Sequence, residues 1–105
     1  MASTTIRTGT ARVDLISPPT WIKPQLAALV KAAPDSSDWL HEIKMDGYRM
    51  HARLDAGRVQ ILTRRGNIWT DKYPVIAQAA ADLPAKNAYL DGELCGVLPD
   101  GRTAF

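Results

Sequence analysis

Between Tyr48 and Thr63 the chain is patterned as a β-hairpin, and that pattern restricts the fold more than any other stretch of its 105 residues. Tyr48, Met50, Ala52 and Leu54 alternate with Arg49, His51, Arg53 and Asp55, the two-residue period of a strand with one apolar and one polar face. Asp55-Ala56-Gly57-Arg58 follows as a turn in which Gly57 can take a positive φ, and Val59 to Thr63 return as a β-branched strand.

Upstream, the same period runs through Trp39, His41, Ile43 and Met45 on one side and Leu40, Glu42 and Lys44 on the other, until Gly47 interrupts it. Three strands in series predict an antiparallel meander. Two short helices are expected to flank it. The first starts at Pro24, carries Leu26, Leu29 and Val30 at helical spacing and stops at Pro34; the second is opened by Pro74 and carries Val75, Ile76, Ala79, Ala80 and Leu83 before Pro84. Ala88-Tyr89-Leu90 reads as a strand running into Asp91-Gly92-Glu93, followed by Leu94 to Leu98, a Pro99-Asp100-Gly101 turn and the start of another strand at Phe105. The fold class expected is α+β, an antiparallel sheet meander with flanking short helices. Residues 1–20, rich in Thr and Ser and stiffened by Pro18-Pro19, are expected to be a flexible tail before a domain over residues 21–105.

A content of 46% hydrophobic and 23% charged residues is that of a globular protein. No apolar run approaches the ~20 residues that cross a bilayer, and Met1 to Arg7 lack the apolar stretch of a secretory signal. The single cysteine, Cys95, cannot form an internal disulfide and reads as a buried strand residue. A cytoplasmic protein without a membrane partner is the simplest expectation. The net charge of +2 does not demand a polyanionic ligand. Its distribution is uneven, however: from Lys44 to Arg65 six cations stand against two anions, and all but one of the cations are arginine. The planar guanidinium fork suits phosphate, although a solvated strand face would carry the same pattern.

Lys44, Arg49, Arg64 and Glu93 fall at four successive strand ends, and neighbouring strand ends converge on one pocket. A lysine amine is a nucleophile only where burial or nearby cations disfavour its charged form. Hydrophobic neighbours and Arg49 favour that for Lys44, Asp46 opposes it, and a lone lysine at a strand end is ordinarily structural or solvated. The Asp46-Gly47 corner would expose Lys44 at the pocket mouth and bring Arg49 to the same side. Arg64 and Arg65, followed by Gly66, could meet phosphate or ribose oxygens. Asp91-Gly92-Glu93 suits a hydrated magnesium ion or a ribose hydroxyl. His41 and His51 have no Cys or carboxylate cluster at ligand spacing and read as packed or surface residues. Trp21, Trp39 and Trp69 read as core or hinge aromatics.

At these residues the chain resembles the ATP-dependent DNA ligases, within the covalent nucleotidyltransferase superfamily that also holds RNA ligases and mRNA capping enzymes. The superfamily motif K-x-D-G-x-R is similar to Lys44-Met45-Asp46-Gly47-Tyr48-Arg49, a second motif to Thr63-Arg64-Arg65-Gly66-Asn67, and the third, D-G-E, to Asp91-Gly92-Glu93. The flank Leu40-His41-Glu42-Ile43 looks most like the ligase domain of bacterial end-joining ligases, and the similarity runs from about Trp21 to Phe105. The resemblance implies an ATP-grasp-like adenylation domain that uses ATP and Mg2+, with nicked double-stranded DNA as partner, in repair and recombination. It implies that Lys44 attacks the α-phosphate of ATP and carries AMP. Arg49 would contact the ribose or the nick phosphate, Arg64 would hold phosphate, Glu93 would bind the ribose or the metal, and the Glu42 backbone would lie near adenine. The family's later motifs and its OB-fold are not found before Phe105. The expectation is therefore the first half of an adenylation domain, with the remaining half as a further partner, unable to complete nick sealing alone. Alternatives are an inactive remnant that only binds nucleotide or nucleic acid, a piece of an RNA ligase or capping-type enzyme, and a partly folded fragment.

Overall fold

In the computed structural model, which describes residues 3–8 and 11–105, the expected hairpin is the centre of the molecule. Its strands, β3 (Tyr48–Asp55) and β4 (Arg58–Thr63), pair antiparallel from Met50 opposite Thr63 to Asp55 opposite Arg58. The connection has positive φ at both central residues, Ala56 at 51° and Gly57 at 80°, so the turn twists with the strands it joins. The Asn87 side chain accepts a hydrogen bond from the Ala56 N–H at 2.9 Å and fixes the turn from outside.

The third strand of the sheet is not the one the alternation at 39–45 predicts. β5 (Ala88–Leu94) takes the other edge of β3, giving the order β4-β3-β5, with Arg49 opposite Glu93 and His51 opposite Asp91. Both edges of β3 are thus occupied, and residues 39–45, which pair with no strand, run as irregular chain with Leu40 and Ile43 almost fully exposed. The expected helix at 24–33 is likewise irregular chain. A helix that short holds only if its apolar face packs, and Leu26, Leu29 and Val30 are all exposed. The second helix does form, as α1 (Pro74–Ala81), entered through a 3-10 turn at Thr70–Lys72. The architecture is thus mostly antiparallel sheet with one α-helix, rather than a serial meander between two helices.

Two further ladders are short. β6 (Gly96–Val97) pairs with β7 (Thr103–Ala104) across the expected turn at 99–101, while Cys95 sits half-buried between β5 and β6 and outside both ladders. In the stretch expected as a tail, β1 (Ser3–Thr8) and β2 (Ala11–Ile16) pair antiparallel, and residues 1, 2, 9 and 10 of that stretch lie outside the described residues. No helix among the described residues is long and apolar enough to cross a membrane.

The pleat divides the central sheet into two unlike faces. Met50, Leu54 and Ile61 are buried on one, with Ala80 of α1 buried over them and Ile76 beside Met50, Ala52 and Ile61. Removing apolar surface from water on this face is the main stabilising contribution, about 2 kcal/mol for each fully buried aliphatic side chain. The opposite face carries Arg49, His51 and Arg53 from β3 with Tyr89, Asp91 and Glu93 from β5. An irregular stretch from Pro18 to Gln25 crosses it and is held by the arginines. Arg53 donates to the Pro19 and Pro18 carbonyls at 2.7 and 2.9 Å, and Arg49 donates to the Gln25 carbonyl at 3.1 Å. A main chain that makes no ladder must satisfy its carbonyls in some other way, and guanidinium donors do so here at Pro18, Pro19 and Gln25.

Candidate active site

At one end of the sheet a cavity of about 540 Å³ opens between β3, the β4 exit and β5. Its lining includes Gly47, Arg49, Arg64, Arg65, Asn67 and Glu93, with Leu26, Trp69 and Phe105 as apolar wall. Three of the residues expected to form a site, Arg49, Arg64 and Glu93, therefore meet here, for the reason anticipated: adjacent strand ends face a common space.

Thr63-Arg64-Arg65-Gly66-Asn67 is a tight turn held largely by its first residue. The Thr63 carbonyl accepts from the Gly66 N–H at 2.9 Å, its N–H donates to the Asn67 carbonyl at 2.9 Å, and its hydroxyl accepts from the Asn67 N–H at 3.0 Å. Gly66 has φ of 84°, and a Cβ there would also press on the Trp21 ring at 3.3 Å. Arg64 and Arg65 are thrown outward at the tip, exposed, and among the described residues no side chain pairs with either guanidinium.

Arg49 is more constrained than the sequence suggests. Its Nε and Nη2 donate to the two Asp91 carboxylate oxygens at 2.6 Å each, a bidentate pair, while Nη1 reaches the Gln25 carbonyl. Three of its five N–H groups are so engaged, leaving two for the cavity. The paired hydrogen bonds from Arg49 hold the Asp91 carboxyl below the usual carboxylate range, with burial working against them; the same pairing raises the Arg49 guanidinium. His51 Nε2 lies 3.1 Å from an Asp91 carboxylate oxygen, and His51 Nδ1 lies 2.7 Å from the Tyr89 hydroxyl. The partnership of Asp91 with Arg49 and His51 was missed because it depends on a register set 42 residues away; the alternation of Arg49 and His51 on one strand face was its only trace in the sequence.

Lys44 and Glu42 do not line the cavity. Both are exposed in the irregular stretch before β3, so Lys44 is not the strand-end lysine among hydrophobic neighbours that the alternation predicts. It is joined to the rim at Gly47 by Met45 and Asp46, a reach of up to ~10 Å for extended chain. That tether is pinned near the rim, where the Asp46 N–H donates to the Thr103 hydroxyl at 3.1 Å. Gly47 itself lacks a positive φ. What demands glycine is close approach, since a Cβ would strike the Leu94 carbonyl and come within 2.8 Å of the Cys95 Cβ. The Asp-Gly pair thus seats the chain against β5 rather than turning a left-handed corner.

Among the described residues no three His, Cys, Asp or Glu side chains gather to hold a metal by themselves. A magnesium ion held by one carboxylate, waters and substrate phosphates needs no such cluster, and Glu93 on the cavity wall with free guanidinium donors opposite fits a metal-bound polyphosphate of that kind. Of the other residues singled out, His51 is buried, whereas Trp39 is exposed rather than core. Trp69 packs beside Tyr73 with the Lys72 ammonium 4.1 Å from its ring centre.

Comparison with known proteins agrees with the motif geometry. A family described as the ATP dependent DNA ligase domain matches residues 24–104. A multifunctional non-homologous end joining protein LigD from Pseudomonas aeruginosa is 42% identical over 87 residues, covering 83% of this chain and 10% of that protein. A probable DNA ligase from Streptomyces coelicolor is 41% identical over 61 residues, 58% of this chain and 12% of the relative. A LigD protein from Mycolicibacterium smegmatis is 37% identical over 70 residues, 67% of this chain and 9% of the relative. The chain thus spans about a tenth of the length of these curated relatives. No solved structure matches it significantly. With a match over most of its length and all three motifs in order, the chain belongs to the ATP-dependent DNA ligase family.

Proposed function

We propose that this chain is the nucleotide-activating part of a DNA ligase, in which Lys44 becomes covalently adenylated and the AMP is passed to the 5′-phosphate of nicked double-stranded DNA. The observation that carries the reading is the meeting of Arg49, Arg64, Arg65 and Glu93 in one cavity whose rim is the glycine of the lysine motif. Three cations and one carboxylate suit a polyphosphate and its ribose.

The neutral Lys44 amine forms a bond from Nζ to the α-phosphorus of ATP as the bond to pyrophosphate breaks; pyrophosphate leaves with the electron pair, and the nitrogen loses a proton to water. A 5′-phosphate oxygen of the DNA then displaces the lysine to give adenylated DNA. Attack by the neighbouring 3′-hydroxyl releases AMP and closes the strand. Arg64 and Arg65 hold phosphate oxygens, and the two unused N–H groups of Arg49 point the same cluster of donors at the nucleotide. Glu93 binds the ribose or a magnesium ion, which supplies charge neutralisation for the pyrophosphate when bound. Glu42 lies near the adenine once the 39–46 stretch folds over the cavity.

Because Lys44 stands outside the cavity, adenylation by this chain is slow, limited by bringing a tethered and exposed lysine over the rim. Incubation with α-labelled ATP and magnesium, then denaturing electrophoresis, is the test. Label on the wild-type chain that is absent from Lys44→Ala supports the reading. Equal label on both refutes Lys44 as the carrier. A second reading, nucleotide or nucleic-acid binding without covalent chemistry, is favoured by the position of Lys44 alone. It predicts salt-dependent DNA binding with no lysine-linked AMP.

A further inference from the structure

On the polar face of the sheet short polar contacts form a closed ring that the proposed chemistry does not by itself require. The Ile22 N–H donates to the Tyr89 hydroxyl at 2.9 Å, and that hydroxyl lies 2.7 Å from His51 Nδ1. His51 Nε2 lies 3.1 Å from Asp91, Asp91 takes both forks of Arg49, and Arg49 returns to the main chain at the Gln25 carbonyl. His51 is the hub of the ring and is 3% exposed, and its ring meets that of Tyr89 edge to face at 5.0 Å between centres.

The donors fix its sense. The Ile22 N–H can only donate, so it occupies one lone pair of the Tyr89 oxygen. The Asp91 carboxylate can only accept, so the His51 proton sits on Nε2, and the Tyr89 hydroxyl proton is left to point at the Nδ1 lone pair. The bidentate fork sets the Asp91 carboxylate and the Arg49 guanidinium relative to each other, and the buried His51 ring beside Oδ1 braces that pair against the sheet, and with it the arginine that must present its remaining N–H groups to the cavity.

We infer that His51 is a positioning residue for the nucleotide site: through Asp91 it sets the Arg49 guanidinium at the cavity wall, and through Tyr89 it ties that setting to the main chain at Ile22. The inference rests on the reading above that Arg49 serves the bound nucleotide. It extends that reading to two side chains, His51 and Tyr89, that belong to none of the three motifs. A purely structural histidine would contribute to stability but not specifically to the behaviour of Arg49.

Two measurements test it on the whole chain. In long-range nitrogen–proton NMR spectra at pH 8, His51 is expected as the Nε2–H tautomer, because Nε2 faces the acceptor-only Asp91 carboxylate. An Nδ1–H tautomer in the wild type would overturn the ring. Second, affinity is measured by calorimetry for the α,β-methylene analogue of ATP with magnesium, which cannot lose pyrophosphate. His51→Gln, which keeps a donor towards Asp91, is expected to stay close to wild type, while His51→Leu weakens binding about tenfold, the size of one lost charge-assisted hydrogen bond. That loss should vanish when Arg49 is already alanine. A folded His51→Leu chain that binds the analogue as tightly as wild type overturns the inference alone. A loss undiminished in the Arg49→Ala background does the same. A wild-type chain with no affinity for the analogue overturns the functional reading beneath it.

Discussion

The central sheet and the stretch from Leu26 to Asp46 have similar apolar content and opposite fates. In the sheet, Leu54 is completely buried and Ile61 and Leu62 nearly so; in the stretch before it, Leu29, Leu40 and Ile43 are almost fully solvated. Hydrophobic residues at the right period are not sufficient for an element, which also needs a ladder partner or a surface to pack on. The sheet had both within a few dozen residues. The consequence is chemical as well as structural, because the sheet carries Arg49, Arg64 and Glu93 while the unpaired stretch carries Glu42 and Lys44. On the proposed reading, the donors for the nucleotide are held ready in one region, and the nucleophile is attached by a tether from the other.

Substitutions should separate the two regions sharply. Leu54→Ala leaves a cavity against α1 and is expected to cost about 3 kcal/mol, whereas Leu29→Ala, with nothing packed on it, leaves the thermal midpoint where it was; paired melts followed by circular dichroism measure both. A large loss at Leu29 would mean that the stretch packs in solution. Gly47→Ala, at the junction, is expected to cost about 2 kcal/mol, because the new methyl meets the Leu94 carbonyl and Cys95 and the backbone must shift. It should also slow adenylation by moving the tether.

Acid offers a smaller contrast within the sheet itself. The Asp91 carboxyl lies below its unfolded value, so its contribution is present above the ordinary carboxylate range and is lost as pH falls through the lowered folded value. Arg49→Lys replaces a bidentate fork by a point charge and should move the acid unfolding midpoint upward, modestly, because Asp91 is half exposed. A midpoint identical to wild type would show that the pair has no role in acid stability. The smallest effect is expected at Ala56, whose φ of 51° suits asparagine better: Ala56→Asn should stabilise the hairpin by about 0.5 kcal/mol.

What could be read from the sequence was local. The β3–β4 hairpin, its turn, α1 and the start of β5 follow from periodicity and punctuation within ten or so residues, and all are present. The convergence of Arg49, Arg64 and Glu93 was legible because strand ends are few and neighbours share them. The pairing of β5 with β3 was not, since the sequence offered residues 39–45 as an equally good strand for that edge and nothing in the alternation ranks the two. For the same reason Asp91 seemed a companion to Glu93, although adjacent register gives it to Arg49 and His51 on the covered face. Gly47 was rightly singled out, but for a corner; the close approach to Leu94 that requires it is a tertiary fact.

The account turns on whether the exposed lysine is the one that carries AMP. Wild-type chain incubated with ATP and magnesium, digested and mapped by mass spectrometry, should show a single AMP adduct on the peptide holding Lys44, reversed by added pyrophosphate and absent from Lys44→Ala. An adduct on any other side chain, or one that survives in Lys44→Ala, would contradict it.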